Sequence, residues 1–239
     1  MDLNEAISSL VIANRILAQK NVLDAFGHVS IRHPQNPERY FLSRTRSPRL
    51  VTKADIIEFS LDSQPVVDPG VRLFGERFIH GCVYQSRPDV MAVCHNHAYG
   101  LLPFAVTKTP MRPAIHMAAL IGPEVPVWDI RDDFGDTNLL VTTNEIGKSL
   151  AARLGDRRAV LMRGHGSTVV GANVQEAVFA SYYLQVNAEV VLQSQALGKV
   201  QYLSPEEVRL GSAMNLAPLS QERVWEDWVD QTGLAGSSV

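Results

Sequence analysis

Four apolar residues, Val90-Met91-Ala92-Val93, lead directly into Cys94-His95-Asn96-His97. The run predicts a central strand from Val90 to His97 with a polar end. Side chains of a strand alternate between faces, so His95 and His97 share one face, about 6–7 Å apart along the backbone, while Cys94 turns into the core. Two imidazoles so placed can converge on one divalent ion. A third is available in Arg163-Gly164-His165-Gly166, where small neighbours let the backbone turn sharply around the ring. Three imidazoles with an open coordination position form the donor set of a catalytic metal centre. The competing reading is ordinary: core histidines bonded to backbone groups, and Gly-His-Gly as a turn.

The rest of the chain supplies what such a strand needs around it. Apolar residues at helical spacing (Ala6, Leu10, Ala13, Ile16, Leu17) predict an amphipathic helix from Asn4 to Asn21. Strands are expected at Gly27–Arg32, Arg39–Ser43 and Ile57–Leu61, with a Pro-rich turn between the first two and a short turn or helix at Thr52–Asp55. Further helices are expected at Gly75–Gln85, Asn144–Leu154 and Val174 to about Leu197, the last opened by Asn173 with Glu176 completing a capping box. Ala159–Met162 and Ser167–Val170 read as strands flanking His165, with short elements bracketed by Ala105–Met117 and Val125–Trp128. No repeat or linker divides the 239 residues, so the simplest expectation is a single α/β domain over 1–239, with a mostly antiparallel sheet flanked by helices. A tail from about 205 packs on that body or on a neighbouring subunit, and its small-residue end, Gly233 to Val239, is expected to fray.

Composition excludes several partners. Net charge is −3 and no long basic block is present, which argues against nucleic acid or an anionic membrane surface. No apolar run reaches the roughly 18–20 residues of a membrane span. The acidic start Met1-Asp2-Leu3-Asn4-Glu5 lacks the hydrophobic stretch of a signal peptide. Cys82 and Cys94 make no disulfide framework or CxxC motif, in keeping with a reducing cytoplasm.

Glu76 sits just upstream of the central strand, on a helix that can present one carboxylate to the strand end, with His80 one turn on. Beside a metal, a glutamate serves as general acid/base or as a fourth ligand when substrate is absent. The alternative is a surface carboxylate paired with Arg77 or Arg87. Taken together, Gly27-His28-Val29-Ser30-Ile31-Arg32, Glu76-Arg77-Phe78-Ile79-His80, His95-Asn96-His97-Ala98 and Arg163-Gly164-His165-Gly166 resemble the successive signatures of the class II aldolase/adducin family over roughly residues 5–200. The resemblance implies that His95, His97 and His165 hold one divalent ion per chain (Zn²⁺ or Mn²⁺, with Fe²⁺ or Co²⁺ as alternatives) and that Glu76 is the catalytic carboxylate. It also implies a single α/β/α domain, assembled as a cyclic homotetramer with an interfacial active site. Adducin-like members, which act as binding modules, lack the metal histidines that this chain keeps.

Departures from the family pattern bear on substrate. Where phosphosugar members resemble Ser-Gly-Asn, Thr-Pro-Thr-Gly and a Ser-Ser pair, this chain reads Phe26-Gly27-His28, Ser43-Arg44-Thr45-Arg46 and Phe74-Gly75. A tyrosine that donates a proton in the aldolases is matched by Met117. Arginine is the planar, bidentate partner of carboxylates. A pocket with Phe26, Phe74 and His28, and a Ser43-Arg44-x-Arg46-Ser47-Pro48 segment, resembles the family's decarboxylase branch, which acts on hydroxylated aromatic or pyridine dicarboxylates and related ring-cleavage acids. The expected chemistry is loss of carbon dioxide with the metal as electron sink, Glu76 returning the proton and His28 a second proton donor. Arg44, Arg46 or Ser43 would orient the spared carboxylate. Alternatives are an aldolase or epimerase on a hydroxy-carbonyl substrate, a non-catalytic module, and, for the arginines, a loop pairing with Glu38 or Asp55.

Overall fold

The computed structural model describes residues 2–234; residues 235–239 of the expected frayed end lie outside it. In chain order the helices and strands are α1 (Leu3–Gln19), β1 (His28–Arg32), β2 (Arg39–Ser43), β3 (Ile56–Ser60), α2 (Arg77–Ser86), β4 (Ala92–Asn96), α3 (Leu102–Ala105), β5 (Val127–Trp128), α4 (Arg131–Phe134), α5 (Asn144–Leu154), β6 (Ala159–Met162), β7 (Gly166–Gly171), α6 (Val174–Gln195), α7 (Pro205–Asn215) and α8 (Pro218–Gln231). One seven-stranded sheet runs β3-β2-β1-β4-β7-β6-β5. Every pairing is antiparallel except β5 with β6. This is the expected mostly antiparallel sheet between helices.

Alternation along the strands divides the interior in two. Val29, Ile31, Cys94 and Val169 face a core built with Leu10, Leu17, Val178, Leu184 and Trp228 from α1, α6 and α8. Tyr40, Leu42, Val93 and Val160 face a second core built with Ile79, Val83, Leu150 and Leu154 from α2 and α5. Each fully buried Leu or Ile contributes about 1.5–3 kcal/mol by leaving water.

Caps account for the helix starts. Asp2 and Glu5 form a reciprocal box at α1, and Thr143 accepts from the Ile146 amide at α5. Asn173 accepts from the Glu176 amide at α6, but the expected box is only half made. The Glu176 carboxylate instead pairs with Arg158, because a buried carboxylate gains more from a guanidinium than from a cap amide. Arg32 at the end of β1 is buried and donates to the carbonyls of Pro37, Tyr84, Arg87 and Val90. That clamp fixes the approach to β4.

The central strand is shorter than expected. It ends at Asn96, and His97 lies beyond it. The cause is local: Asn96 Oδ1 accepts from the Ala98 amide, an Asx turn that diverts the backbone, and also from Ser167 Oγ of β7. Glycines on either side of His165 have separate reasons. Gly164 has φ of +65°, and a Cβ on Gly166 would sit 2.1 Å from the Asn96 carbonyl oxygen.

Candidate metal centre

The end of β4, the loop after it, the β6–β7 turn and the start of α2 deliver four side chains to one place. Ligand atoms of Glu76, His95, His97 and His165 all lie within 4.8 Å of one another. His95 and His97 rings are 4.8 Å apart but nearly perpendicular, because His97 has left the strand. His97 and His165 stack, with centroids 5.0 Å apart. Glu76 sits at the N-cap position of α2 rather than within it, and its side chain does not cap the helix. Oε1 accepts from the Val141 amide at 2.9 Å, while Oε2 lies 3.5 Å from His95 Nε2 and 3.4 Å from His165 Nε2. The expected alternative partners are engaged elsewhere: Arg77 with Ser63 and Phe74 carbonyls, Arg87 with Asp89.

Each histidine is held from behind through Nδ1. His95 Nδ1 donates to the Ser167 carbonyl (3.1 Å), His165 Nδ1 to the Leu139 carbonyl (2.9 Å), and His97 Nδ1 to the Asp24 carboxylate (3.1 Å). A proton fixed on Nδ1 leaves Nε2 as a lone pair, the tautomer and bracing typical of metal-ligating imidazoles. Ligands 2.0–2.1 Å from a tetrahedral ion stand about 3.3 Å apart. The His95–His97 Nε2 separation of 3.0 Å and the two glutamate distances bracket that edge. The residues therefore fit one divalent ion.

Electrostatics agree with this arrangement. Burial pushes the Glu76 carboxyl up, but His95 and His165 more than reverse it and hold the group well below the usual carboxylate range. Burial and His95 push His97 down. His165 is raised, because Glu76 outweighs its burial.

Around the cluster the expected residues separate into groups. His28 is buried, with Phe74 4.4 Å and His95 5.2 Å from its ring centre. Phe26 is 72% exposed and packs into neither core. Arg44 and Arg46 both meet Asp55, at 2.7 and 3.4 Å, so the loop pairing weighed above is realised with Asp55 and not with Glu38. Ser43 pairs in register with Ile56, on the first-core side of the sheet, and its hydroxyl is buried without a partner among the described residues. A cleft of about 430 Å³ reaches His97, and Ser47 lines it with Asp24, Arg49 and Tyr99. A larger cleft of about 530 Å³, between Thr107 and Arg157, contains none of the histidines and has no comparable chemistry.

Sequence reasoning missed Asp24 and Arg49. Asp24-Ala25-Phe26-Gly27 carries the signature of a turn, Asp first and Gly last, and Asp24 does accept from the Phe26 and Gly27 amides. Nothing in that signature announces the second task of bracing His97. Arg49 follows Arg44 and Arg46 with no motif of its own, and only the fold sets it on the cleft.

Comparison with known proteins bears on the same residues. Residues 8–192 match the family described as Class II Aldolase and Adducin N-terminal domain. Decarboxylase tropJ of Talaromyces stipitatus is 31% identical, with 96% of this chain and 95% of that one aligned. A 3,4-dihydroxyphthalate decarboxylase of Terrabacter sp. is 30% identical over 92% of this chain and 94% of its own length. An L-fuculose phosphate aldolase of Escherichia coli O6:H1 is 30% identical over 76% and 80%. Among solved structures, an aldolase II superfamily protein from Pseudomonas syringae superposes with a TM-score of 0.81 at 20% identity, over 98% of this chain and 94% of that one.

Proposed function

The chain belongs to the class II aldolase and adducin family, and on that premise we propose that it is a divalent-metal-dependent decarboxylase of a hydroxylated aromatic, or related ring-derived, dicarboxylic acid. The observation that carries this reading is the wall beside the cluster. Phe74 packs at a tilt against buried His28, ring centres 4.4 Å apart, where a phosphate would need a row of hydroxyl and amide donors. The relatives called decarboxylases, which align over nearly the whole chain, support the same reading.

His95, His97 and His165 would hold the ion, with Glu76 as a fourth ligand before substrate arrives. That ion supplies a Lewis acid for the negative charge that builds as carbon dioxide departs. Glu76, ionised at rest, takes the proton of a substrate hydroxyl. As the carbon–carbon bond to the carboxylate breaks, its electron pair stays on the ring carbon, and the same Glu76 carboxyl returns the proton there. The hydroxyl oxygen is reprotonated from solvent on release. His28 faces the reaction from the Phe74 side. Arg44 and Arg46, with Ser43, lead into the Ser47–Arg49 margin of the cleft, where a spared carboxylate would find guanidinium partners.

Exposed Phe26 and Tyr99, the latter lining the cleft, support an assembly in which a second copy covers the site, and a homotetramer is the form proposed; sedimentation of the purified protein tests it. A cytoplasmic setting is proposed as well: no helix among the described residues is long and apolar enough to cross a membrane.

Release of carbon dioxide from 3,4-dihydroxyphthalate is the decisive assay. Turnover of L-fuculose 1-phosphate alone would replace the decarboxylase by an aldolase, the second reading, which the aldolase relative supports. Less than about 0.3 metal per chain after gentle purification would favour a non-catalytic module, given the tight binding expected of such sites.

A further inference from the structure

A line of hydrogen bonds runs through the second core to the wall of the metal centre. Tyr84 Oη lies 2.8 Å from Ser30 Oγ, Ser30 Oγ lies 2.6 Å from His80 Nδ1, and His80 Nε2 lies 2.7 Å from His28 Nδ1. All four side chains are buried. Counting protons fixes the direction of this line. Burial pushes the Tyr84 phenol up, so it remains an O–H. A buried donor left without an acceptor costs about 1–3 kcal/mol. Among the described residues Ser30 Oγ is the acceptor in reach, so Tyr84 donates to Ser30. Ser30 must then give its own proton to His80 Nδ1. His80 Nδ1, accepting from Ser30, carries no proton, and an imidazole keeps at least one ring N–H. His80 carries it on Nε2 and gives it to His28 Nδ1. The one proton left to His28 is on Nε2. That nitrogen bonds no described residue, and the ring packs against Phe74 and His95. Run in reverse, the line would leave the Tyr84 hydroxyl donating to nothing.

We propose that Ser30, His80 and Tyr84 are positioning residues that lock His28 in its Nε2–H tautomer, making it a fixed hydrogen-bond donor to the substrate oxygen on which negative charge collects. The proposal rests on the decarboxylase reading and involves no change in the charge of His28. Neutral imidazole is bistable between tautomers, and a donor is useful there only if the other form is suppressed.

The test uses zinc-loaded protein labelled with ¹⁵N-histidine. Long-range ¹H–¹⁵N spectra are expected to show His28 protonated at Nε2 and bare at Nδ1; the opposite pattern overturns the proposal. His80→Gln keeps an N–H for His28 Nδ1, whereas His80→Leu removes it. The expectation is a kcat within about threefold of wild type for His80→Gln and a loss of about 10–100-fold for His80→Leu, with KM and zinc content unchanged. Equal losses in both variants, or none in either, would mean that the ring only packs. Should His80→Leu fail to fold, Tyr84→Phe keeps the ring and removes the proton that sets the direction. Mixed His28 tautomers are then expected, and an unaltered Nε2–H spectrum refutes the scheme. If wild type releases no carbon dioxide from any acid tried, the function is wrong, while the spectrum still decides the tautomer.

Discussion

His95 and His97 reach one point from the end of β4 and His165 from the β6–β7 turn, and each is braced by an acceptor of its own: the Ser167 carbonyl, the Asp24 carboxylate and the Leu139 carbonyl. Arg44 and Arg46 sit on one loop and share a single acceptor, Asp55, which also accepts from the Thr52 amide and hydroxyl. In the first region the protein's own hydrogen bonds leave the reactive lone pairs unspent and aimed together. In the second they consume part of the charge that a substrate would need. A functional centre differs from a structural ion pair in what is left over once internal partners are counted, and the two regions can be pushed apart experimentally on that basis.

The largest effect is expected from His165→Ala, which removes a proposed ligand whose bracing carbonyl is already in place. Bound metal should fall well below one per chain, and turnover should drop by about 10³-fold or more, checked by elemental analysis beside the carbon dioxide assay. Glu76→Gln keeps an oxygen for the Val141 amide but cannot carry the proton. A kcat loss of about 10²–10⁴-fold with metal retained is expected, and near-normal turnover would remove Glu76 from the chemistry. Asp24→Asn tests bracing alone: chelator competition should show affinity weakened by about 10–100-fold with His97 still present.

The smallest effect belongs to the arginine region. Asp55→Asn is expected to cost about 1–2 kcal/mol in urea unfolding at neutral pH, since a nearly buried acceptor of several hydrogen bonds is lost while its arginines are about a third exposed. Burial pushes the Asp55 carboxyl up, but the Thr52 amide and hydroxyl, Arg44 and Arg46 reverse this and place it below its ordinary value. Its contribution is therefore complete above the unfolded pKa of about 3.9 and fades as pH falls through the lower folded value. The wild-type advantage over the variant should shrink in that acid window; an advantage that persisted would assign it to packing.

Much of this molecule was legible in its sequence. Strands Arg39–Ser43 and Ala159–Met162 and helix Asn144–Leu154 form with the bounds expected from the sequence. The histidine pattern was readable because ligation demands residue type and short-range spacing together. His97 leaving its strand was not, since that follows from a side-chain bond of Asn96 competing with the sheet. Asp24 and the His80 line were hidden for a deeper reason. Their partners lie 73 and 50–54 positions away in the chain, and only the assembled sheet brings them into contact.

Asn96 stands between two of the proposed ligands, and its side-chain oxygen is tied to the Ala98 amide and to the Ser167 hydroxyl of the next strand. The peptide that separates His95 from His97 is thus ordered by the sheet before any ion arrives. Small zinc domains spend their binding free energy on folding and collapse when stripped. Here the entropic cost of arranging the ligands belongs to the scaffold, so the ion should be removable and replaceable as an exchangeable part, with the apoprotein keeping its shape between occupants.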